Sequence, residues 1–199
     1  MRTMLLTLTI LVLASTAQAQ RHRAQNSALF FIRENGKFGY IDRTGRRVIP
    51  PQFETTFGFN EGLAAIKLGG KFGYIDRTGR LVIAPQFDDT YMFSDGLAWV
   101  KTGDRYGYID RAGRMVIAPR KYDATPAHFS EGRAAVKIDG KWGYIDRTGK
   151  LVIEPKYDKA TPFRGGLAQV IVDGTYMYIA PDGRVVWQEE NKGDQTPHR

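Results

Sequence analysis

The sequence predicts an all-β protein built as a tandem array of three-stranded antiparallel units. Three observations carry that prediction. The string GKFGYIDRTGR at 36–46 returns unchanged at 70–80, then as DRYGYIDRAGR at 104–114 and GKWGYIDRTGK at 140–150. Its glycine falls at Gly39, Gly73, Gly107 and Gly143, a period of 34, 34 and 36 residues, within the range of solenoid and propeller repeats. No stretch of about ten residues places apolar side chains at helical spacing.

Another 34 residues reaches Met177 inside GTYMYIAPDGR, a partial fifth copy. A second phrase recurs in step: EGLAAIK at 61–67, DGLAWVK at 95–101, EGRAAVK at 131–137 and GGLAQVI at 165–171. The array therefore runs from about 28 to 188, as four full units and one partial unit. Within one unit, residues 62–68 alternate as a short strand. Gly69-Gly70 offers a turn with positive φ. Residues 71–76, KFGYID, form a second strand rich in aromatic and β-branched types. DRTG turns the chain, residues 80–84 form a third strand, and Pro85 is expected to end it because proline cannot donate to a ladder. QFDDTYMFSD then returns as a loop with aromatic anchors. Phe follows the proline by eight positions at 51/59, 85/93 and 155/163, and by ten at 119/129, so the two extra residues fall in the return segment, where a surface loop tolerates insertion. The expected shape is an elongated, twisted array. A closed propeller-like ring is the alternative, disfavoured because blades usually hold four strands over about 40 residues or more.

Outside the array, residues 1–19 read as a secretory signal peptide. Arg2 supplies the positive n-region, MLLTLTILVLA the apolar h-region, and AQA at 17–19 the cleavage site after Ala19. The apolar run is shorter than the roughly 20 residues a membrane span needs, and no later segment reaches that length. Residues 20–27 are a polar lead-in. Residues 189–199, EENKGDQTPHR, read as a disordered tail. The expected location is the periplasm or the cell exterior. The chain has no cysteine, so its core must come from apolar packing without disulfides. Its formal net charge is +8, or +7 once Arg2 leaves with the leader, which makes polyanions plausible partners.

The repeated residues admit structural and functional readings. Asp42, Asp76, Asp110 and Asp146 each open a four-residue turn whose glycine follows three positions later, as a turn requires. In the fifth copy the turn reads Ala180-Pro181-Asp182-Gly183. A turn survives there without the leading Asp, as expected of a structural role. Phe72 and Tyr74 share one strand face, Gly73 and Ile75 the other, and an interior strand glycine suggests close approach by another backbone or a ring. The aromatic rows Phe38/Phe72/Tyr106/Trp142 and Tyr40/Tyr74/Tyr108/Tyr144/Tyr178 serve either packing between units or the stacking of sugars or bases. Varied ring types at one position favour packing.

The basic residues leave more room for function. Arg43, Arg77, Arg111 and Arg147 sit in the turns, followed by Arg46, Arg80, Arg114 and Lys150. Stacked in register, they would form a basic rim able to bind a polyanion, or simply a solvated ridge. Catalytic signatures are absent: His22 and His198 lie outside the array, His128 has no counterpart in other copies, and no nucleophile or metal-ligand spacing occurs. No enzyme activity, cofactor or metal is expected.

The unit GKWGYIDRTGKLVIEPKYDKATPFRGGLAQV at 140–170 resembles the WG-repeat family, also called KWG repeats. The resemblance extends over the array. It implies a bacterial protein of tandem β-rich repeats that bind or scaffold, with no catalytic residues to carry over. Only Trp142 keeps the Trp-Gly pair; Phe38, Phe72 and Tyr106 replace it elsewhere, and Met177 replaces the glycine in the last copy, which reads as a terminal cap. The expected function is a secreted or periplasmic module that binds a protein or an anionic envelope polymer, with nucleic acid not expected. The alternatives are a purely structural envelope component and, last, a carbohydrate-active protein using carboxylates between repeats.

Overall fold

The computed structural model describes residues 28–190. The expected leader, the polar lead-in up to Ser27 and the tail from residue 191 lie outside the described residues. The described chain is all-β and forms five antiparallel sheets in tandem. Unit 1 holds β1 (Phe30–Glu34), β2 (Lys37–Ile41) and β3 (Arg47–Phe53). Unit 2 holds β4 (Thr55–Thr56), β5 (Leu63–Leu68), β6 (Lys71–Asp76) and β7 (Leu81–Phe87). Unit 3 holds β8 (Asp89–Thr90), β9 (Leu97–Thr102), β10 (Arg105–Asp110) and β11 (Met115–Arg120). Unit 4 holds β12 (Arg133–Ile138), β13 (Lys141–Asp146) and β14 (Leu151–Tyr157). Unit 5 holds β15 (Lys159–Ala160), β16 (Ala168–Val172), β17 (Thr175–Ile179) and β18 (Val185–Gln188). The face of unit 1 that carries Phe30 and the face of unit 5 that carries Tyr178 and Trp187 are both exposed, so the described array is open.

Two local expectations change. The return segment is not all loop: it contributes a two-residue strand that pairs with the next unit's first long strand, Thr55 with Lys67 and Thr56 with Ile66. Three of the five sheets therefore have four strands. In unit 4 that strand is missing because the insertion divides in two. One extra residue lies before Tyr122, so Tyr106 pairs with Arg120 where Phe72 pairs with Phe87. The other lies between Asp123 and Phe129. The lengthened segment keeps its anchors, with Asp123 N donating to Lys137 O (3.0 Å) and Ala127 N to Ala135 O (2.9 Å).

Pro85 also does not end its strand. β7 runs on to Phe87 through a bulge, because Tyr74 pairs with Ile83 while Phe72 pairs with Phe87. The proline sits where the ladder is already broken, so its missing N–H costs nothing. The bulge pushes backbone onto Gly73: a Cβ there would lie 2.5 Å from Ile83 O and 2.7 Å from Pro85 N. Gly39 and Gly143 meet Ile49 O and Ile153 O at the same 2.5 Å, and Gly107 meets Ile117 O at 2.8 Å. The glycine of the repeat is thus a consequence of the bulge beside it. In unit 5, Met177 pairs with Gln188 and Tyr178 with Trp187, and the register shifts only beyond them, between Tyr178 and Ile179. No backbone crowds the position, and Met177 is tolerated.

The core lies between units. Each internal sheet turns one face to the unit before it and the other to the unit after. Tyr40, Ile49 and Phe53 pack on Ala64, Ile66 and Ile75; Tyr74, Ile83 and Phe87 pack on Ala98, Val100 and Ile109. Tyr108 and Ile117 pack on Ala134, Val136 and Ile145; Tyr144, Ile153 and Tyr157 pack on Ala168, Val170 and Ile179. The tyrosines at 40, 74, 108 and 144 are fully buried. Each meets the phenylalanine of its own return segment at 4.7 to 4.9 Å between ring centroids, Phe59, Phe93, Phe129 or Phe163, a contact worth about 0.5–1.5 kcal/mol beyond area burial. Each hydroxyl donates to a return-segment carbonyl: Phe57 O (2.6 Å), Tyr91 O (2.7 Å), Ala127 O (2.9 Å) and Thr161 O (2.8 Å). In the first two units it also hydrogen-bonds the buried Thr56 or Thr90 hydroxyl. Tyr40, Tyr74, Tyr108 and Tyr144 therefore pack between units, whereas Tyr178, the last of the row, is exposed.

Gly73→Ala is expected to destabilise the protein by about 1–3 kcal/mol through overpacking, read as a lower urea midpoint. On an uncrowded strand the same change would be mildly stabilising, so an unchanged or raised midpoint would refute the bulge account. Burial pushes the Tyr40 phenol up to about 12 and raises Tyr74, Tyr108 and Tyr144 further, while the Thr hydrogen bonds of Tyr40 and Tyr74 oppose it. The folded state thus holds these protons more tightly than the unfolded chain, whose phenols ionise near 10. That stability is complete below pH 10 and is lost as pH rises through 10 to 12. Near-ultraviolet circular dichroism should collapse cooperatively in that window. Ionisation of all the tyrosines with native structure retained would contradict it.

Candidate functional site

The rim predicted from the turns is built one hairpin at a time. In each of units 1 to 4 the Asp amide donates to the residue four positions on, and the turn glycine donates back to the Asp carbonyl; in unit 2 both distances are 2.9 Å. The Asp76 carboxylate accepts from Thr78 N (2.9 Å), Thr78 Oγ1 (2.6 Å) and Arg80 N (3.1 Å). Asp42 makes the same set, and the Thr44 hydroxyl, with the amides and Arg46 behind it, holds its carboxyl at about 2. The fifth turn keeps both backbone bonds, Ala180 N to Arg184 O and Gly183 N to Ala180 O, without the Asp. The repeated acid is a turn residue.

Successive turns share one register. A Cβ at Gly79 would stand 3.2 Å from Ile49 Cγ1 of the unit before, at Gly113 3.2 Å from Ile83 Cγ1, at Gly149 2.7 Å from Ile117 Cγ2, and at Gly183 3.5 Å from Ile153 Cγ1. Each turn rests on the preceding unit in the same way, so the predicted cations recur along one edge. Arg46, Arg80 and Arg114 are exposed but pair with their own Asp at 3.1, 3.2 and 2.7 Å. Arg77 lies over the Phe59 ring at 5.3 Å. The Arg111 and Arg147 guanidinium groups lie 3.4 Å from where a Cβ of Gly62 or Gly96 would be, reaching over the unit before. Arg43, Arg111, Arg147 and Lys150 are exposed and form no ion pair among the described residues.

Beside this rim runs a feature the sequence reading passed over. The Glu61 carboxylate accepts from Gly96 N (3.0 and 3.2 Å), Asp95 from Gly132 N (2.8 Å), and Glu131 from Gly165 N (2.6 Å) and Gly166 N (2.9 Å). Asn60 Nδ2 and Ser130 Oγ likewise donate to Phe93 O and Phe163 O of the next turn, both at 2.7 Å. These residues form a ladder of carboxylate-to-amide bonds between units. Glu61, Asp95 and Glu131 hold positive φ of 49°, 51° and 52°, which costs a non-glycine residue about 1–2 kcal/mol. The carboxylate bond offsets that strain. The signal was present in the sequence: an acid precedes glycine in EGLAAIK, DGLAWVK and EGRAAVK and gives way to Gly165 in GGLAQVI, in the last unit of the described residues. These carboxylates are therefore committed to holding neighbours together.

His128 lies on the lengthened segment, half-buried, 6.4 Å from the Tyr91 ring. Burial first, then Arg164, pushes its pKa below the usual histidine value, against the pull of Asp95. Among the described residues no group of three His, Asp or Glu side chains could hold a metal ion.

The WG-containing repeat matches four consecutive segments of this sequence, residues 38–72, 72–106, 106–142 and 142–176. The chain belongs to the WG-repeat family. Each matched segment starts on the ring that precedes the crowded glycine, so the motif marks the bulge and the face that receives the next unit. No curated protein matches the chain. Its WG-repeat fold is similar to that of Hsv2 from Kluyveromyces lactis, with TM-score 0.55 and 13% identity over 81% of this chain and 59% of that one. It is also similar to a eukaryotic initiation factor, with TM-score 0.58 and 11% identity over 82% of this chain and 52% of that one. At these identities the likeness is of fold alone. The WG-repeat chain spans about three-fifths of the Hsv2 chain.

Glu61→Ala is expected to cost about 1–2 kcal/mol, since it removes a charge-assisted hydrogen bond and keeps the strained φ. Glu61→Gly should cost about 1 kcal/mol less, because glycine relieves the strain. Equal midpoints for the two variants in urea would show that the ladder does not hold that strain.

Proposed function

We propose that this WG-repeat chain is a secreted or periplasmic binding module without catalytic activity, and that its basic rim takes an anionic polymer or an acidic protein surface of the bacterial envelope. The reading rests on one observation: the turn-on-isoleucine register repeats at every junction, so cations separated by about a unit in sequence recur along one edge. A repeated cationic edge suits a repeated anionic ligand, because each contact adds a released counterion rather than a new pocket. The +8 net charge favours such partners, and the leader-like residues 1–19 favour export. Arg46, Arg80 and Arg114 are partly neutralised by their own aspartates, so Arg43, Arg111, Arg147 and Lys150 are the principal contacts.

The decisive measurement is the affinity for long-chain polyphosphate across a salt series. Wild-type binding should weaken steeply with salt. Changing Arg43, Arg111, Arg147 and Lys150 to Glu should weaken it by more than about tenfold and flatten the salt slope. The same charge change placed on Lys37, Lys121, Lys156 and Lys159, away from the rim, should act far less. If both variants lose affinity equally, net charge rather than the rim binds the polymer.

A further inference from the structure

The two ends of the array expose the two halves of the interface that joins its units. At four internal junctions a receiving face carries the buried tyrosine and the isoleucine of the third long strand. A presented face carries a small or branched pair and an isoleucine, such as Ala64, Ile66 and Ile75. Unit 5 shows its receiving face to solvent. Tyr178, the counterpart of four fully buried tyrosines, is 38% exposed, and Trp187, at the position of Ile153, is 51% exposed. Tyr176 beside them is also exposed. A cavity of about 400 Å³ opens there between Thr161, Pro162, Arg164, Leu167, Gln169 and Tyr178.

Unit 1 shows the presented face. Phe30, at the position of Ala64, is 51% exposed, and Ile32 and Ile41 are only half-buried where Ile66 and Ile75 are completely covered. Gly45 has nothing within 4 Å of a Cβ, whereas every later turn glycine meets the isoleucine of the unit before. β1 also has no short strand beside it, as β5, β9 and β16 do.

Open repeat arrays normally end in units whose outer face is polar, which keeps them soluble. Here both outer faces are apolar, so unit 5 does not have the surface of a terminal cap. With the leader removed, as the proposed export requires, the flanking stretches QRHRAQNS at 20–27 and NKGDQTPHR at 191–199 contain no phenylalanine, tyrosine, tryptophan, leucine, isoleucine or valine to cover them. We infer that unit 5 of one chain receives unit 1 of a second copy, head to tail. Phe30, Ile32 and Ile41 then enter the slot bordered by Gln169, Tyr178 and Trp187, and Gly45 rests on Trp187. The occupant is a second copy because the missing surface at each end is the surface the other end exposes. A junction of this kind is heterologous, so it repeats into a ring or a filament. It lacks the carboxylate ladder, since Gly165 stands where Glu131 does, so it should be weaker than the internal junctions and depend on concentration.

Sedimentation velocity on the purified full chain tests this. Mass should rise with concentration beyond one chain. Phe30→Glu and Tyr178→Glu, both at exposed positions, should each remain monomeric, with circular dichroism confirming the native fold. Mixed together they should form a one-to-one pair and stop there, because one variant keeps a working slot and the other a working insert. A second measurement uses the absence of native cysteine. Ile32→Cys combined with Gln169→Cys should give disulfide-linked multimers under mild oxidation. A wild-type chain that stays monomeric at every concentration overturns the proposal. So does a single variant that still associates like wild type, or a disulfide that closes within one chain.

Discussion

A tyrosine that its own unit cannot cover is the contact on which this array depends. A sheet of three or four short strands has two faces and cannot dry either one by itself. Tyr40, Tyr74, Tyr108 and Tyr144 become buried only when the following unit lays its small and branched residues over them. The hydroxyl of each is then bound by the return segment that leads to that following unit, so the link and the cover are one structure. Stability in such an array is largely a sum over neighbouring junctions.

The rest of the repeat serves that junction. The third long strand carries its isoleucine and its last aromatic on one face, and a bulge at proline sets Phe87 opposite Phe72. The bulge needs a glycine beside it, which explains why a ring and a glycine recur together. The Asp turn places its glycine against the isoleucine of the unit before. The acid–glycine turns add a ladder of hydrogen bonds in which backbone strain at Glu61 and Glu131 is balanced by a carboxylate reaching the next unit.

Function is left to what the junction does not consume. The turn aspartates, the acid ladder and the tyrosines at 40, 74, 108 and 144 are all engaged in structure. The cations of the turns remain, together with the two apolar faces at the ends. The first suits a repetitive anionic partner along the edge. The second suits another copy at the ends. The two surfaces meet at the unit 1 turn, where Arg43 and Gly45 lie two residues apart, so an assembled form would carry the basic edge from one copy to the next.

Much of this was legible in the chain. The 34-residue period, the strands at 62–68 and 71–76, the Gly69-Gly70 turn, the structural role of Asp76 and the inward face of Tyr74 all follow from local pattern and turn chemistry. Three features were not. Proline within β7 looked like a strand end, because a bulge depends on the register of the partner strand. The two-residue edge strand is too short to have a periodicity of its own. The link from Glu61 to Gly96 joins residues 35 apart and puts a glutamate in a conformation its local preference opposes, so only stacking reveals why it is there. The fate of a given tyrosine is of the same kind. Tyr144 and Tyr178 are read alike from the chain, yet one is dry and the other faces solvent, because burial is set by whether a neighbouring unit arrives and not by the residue itself.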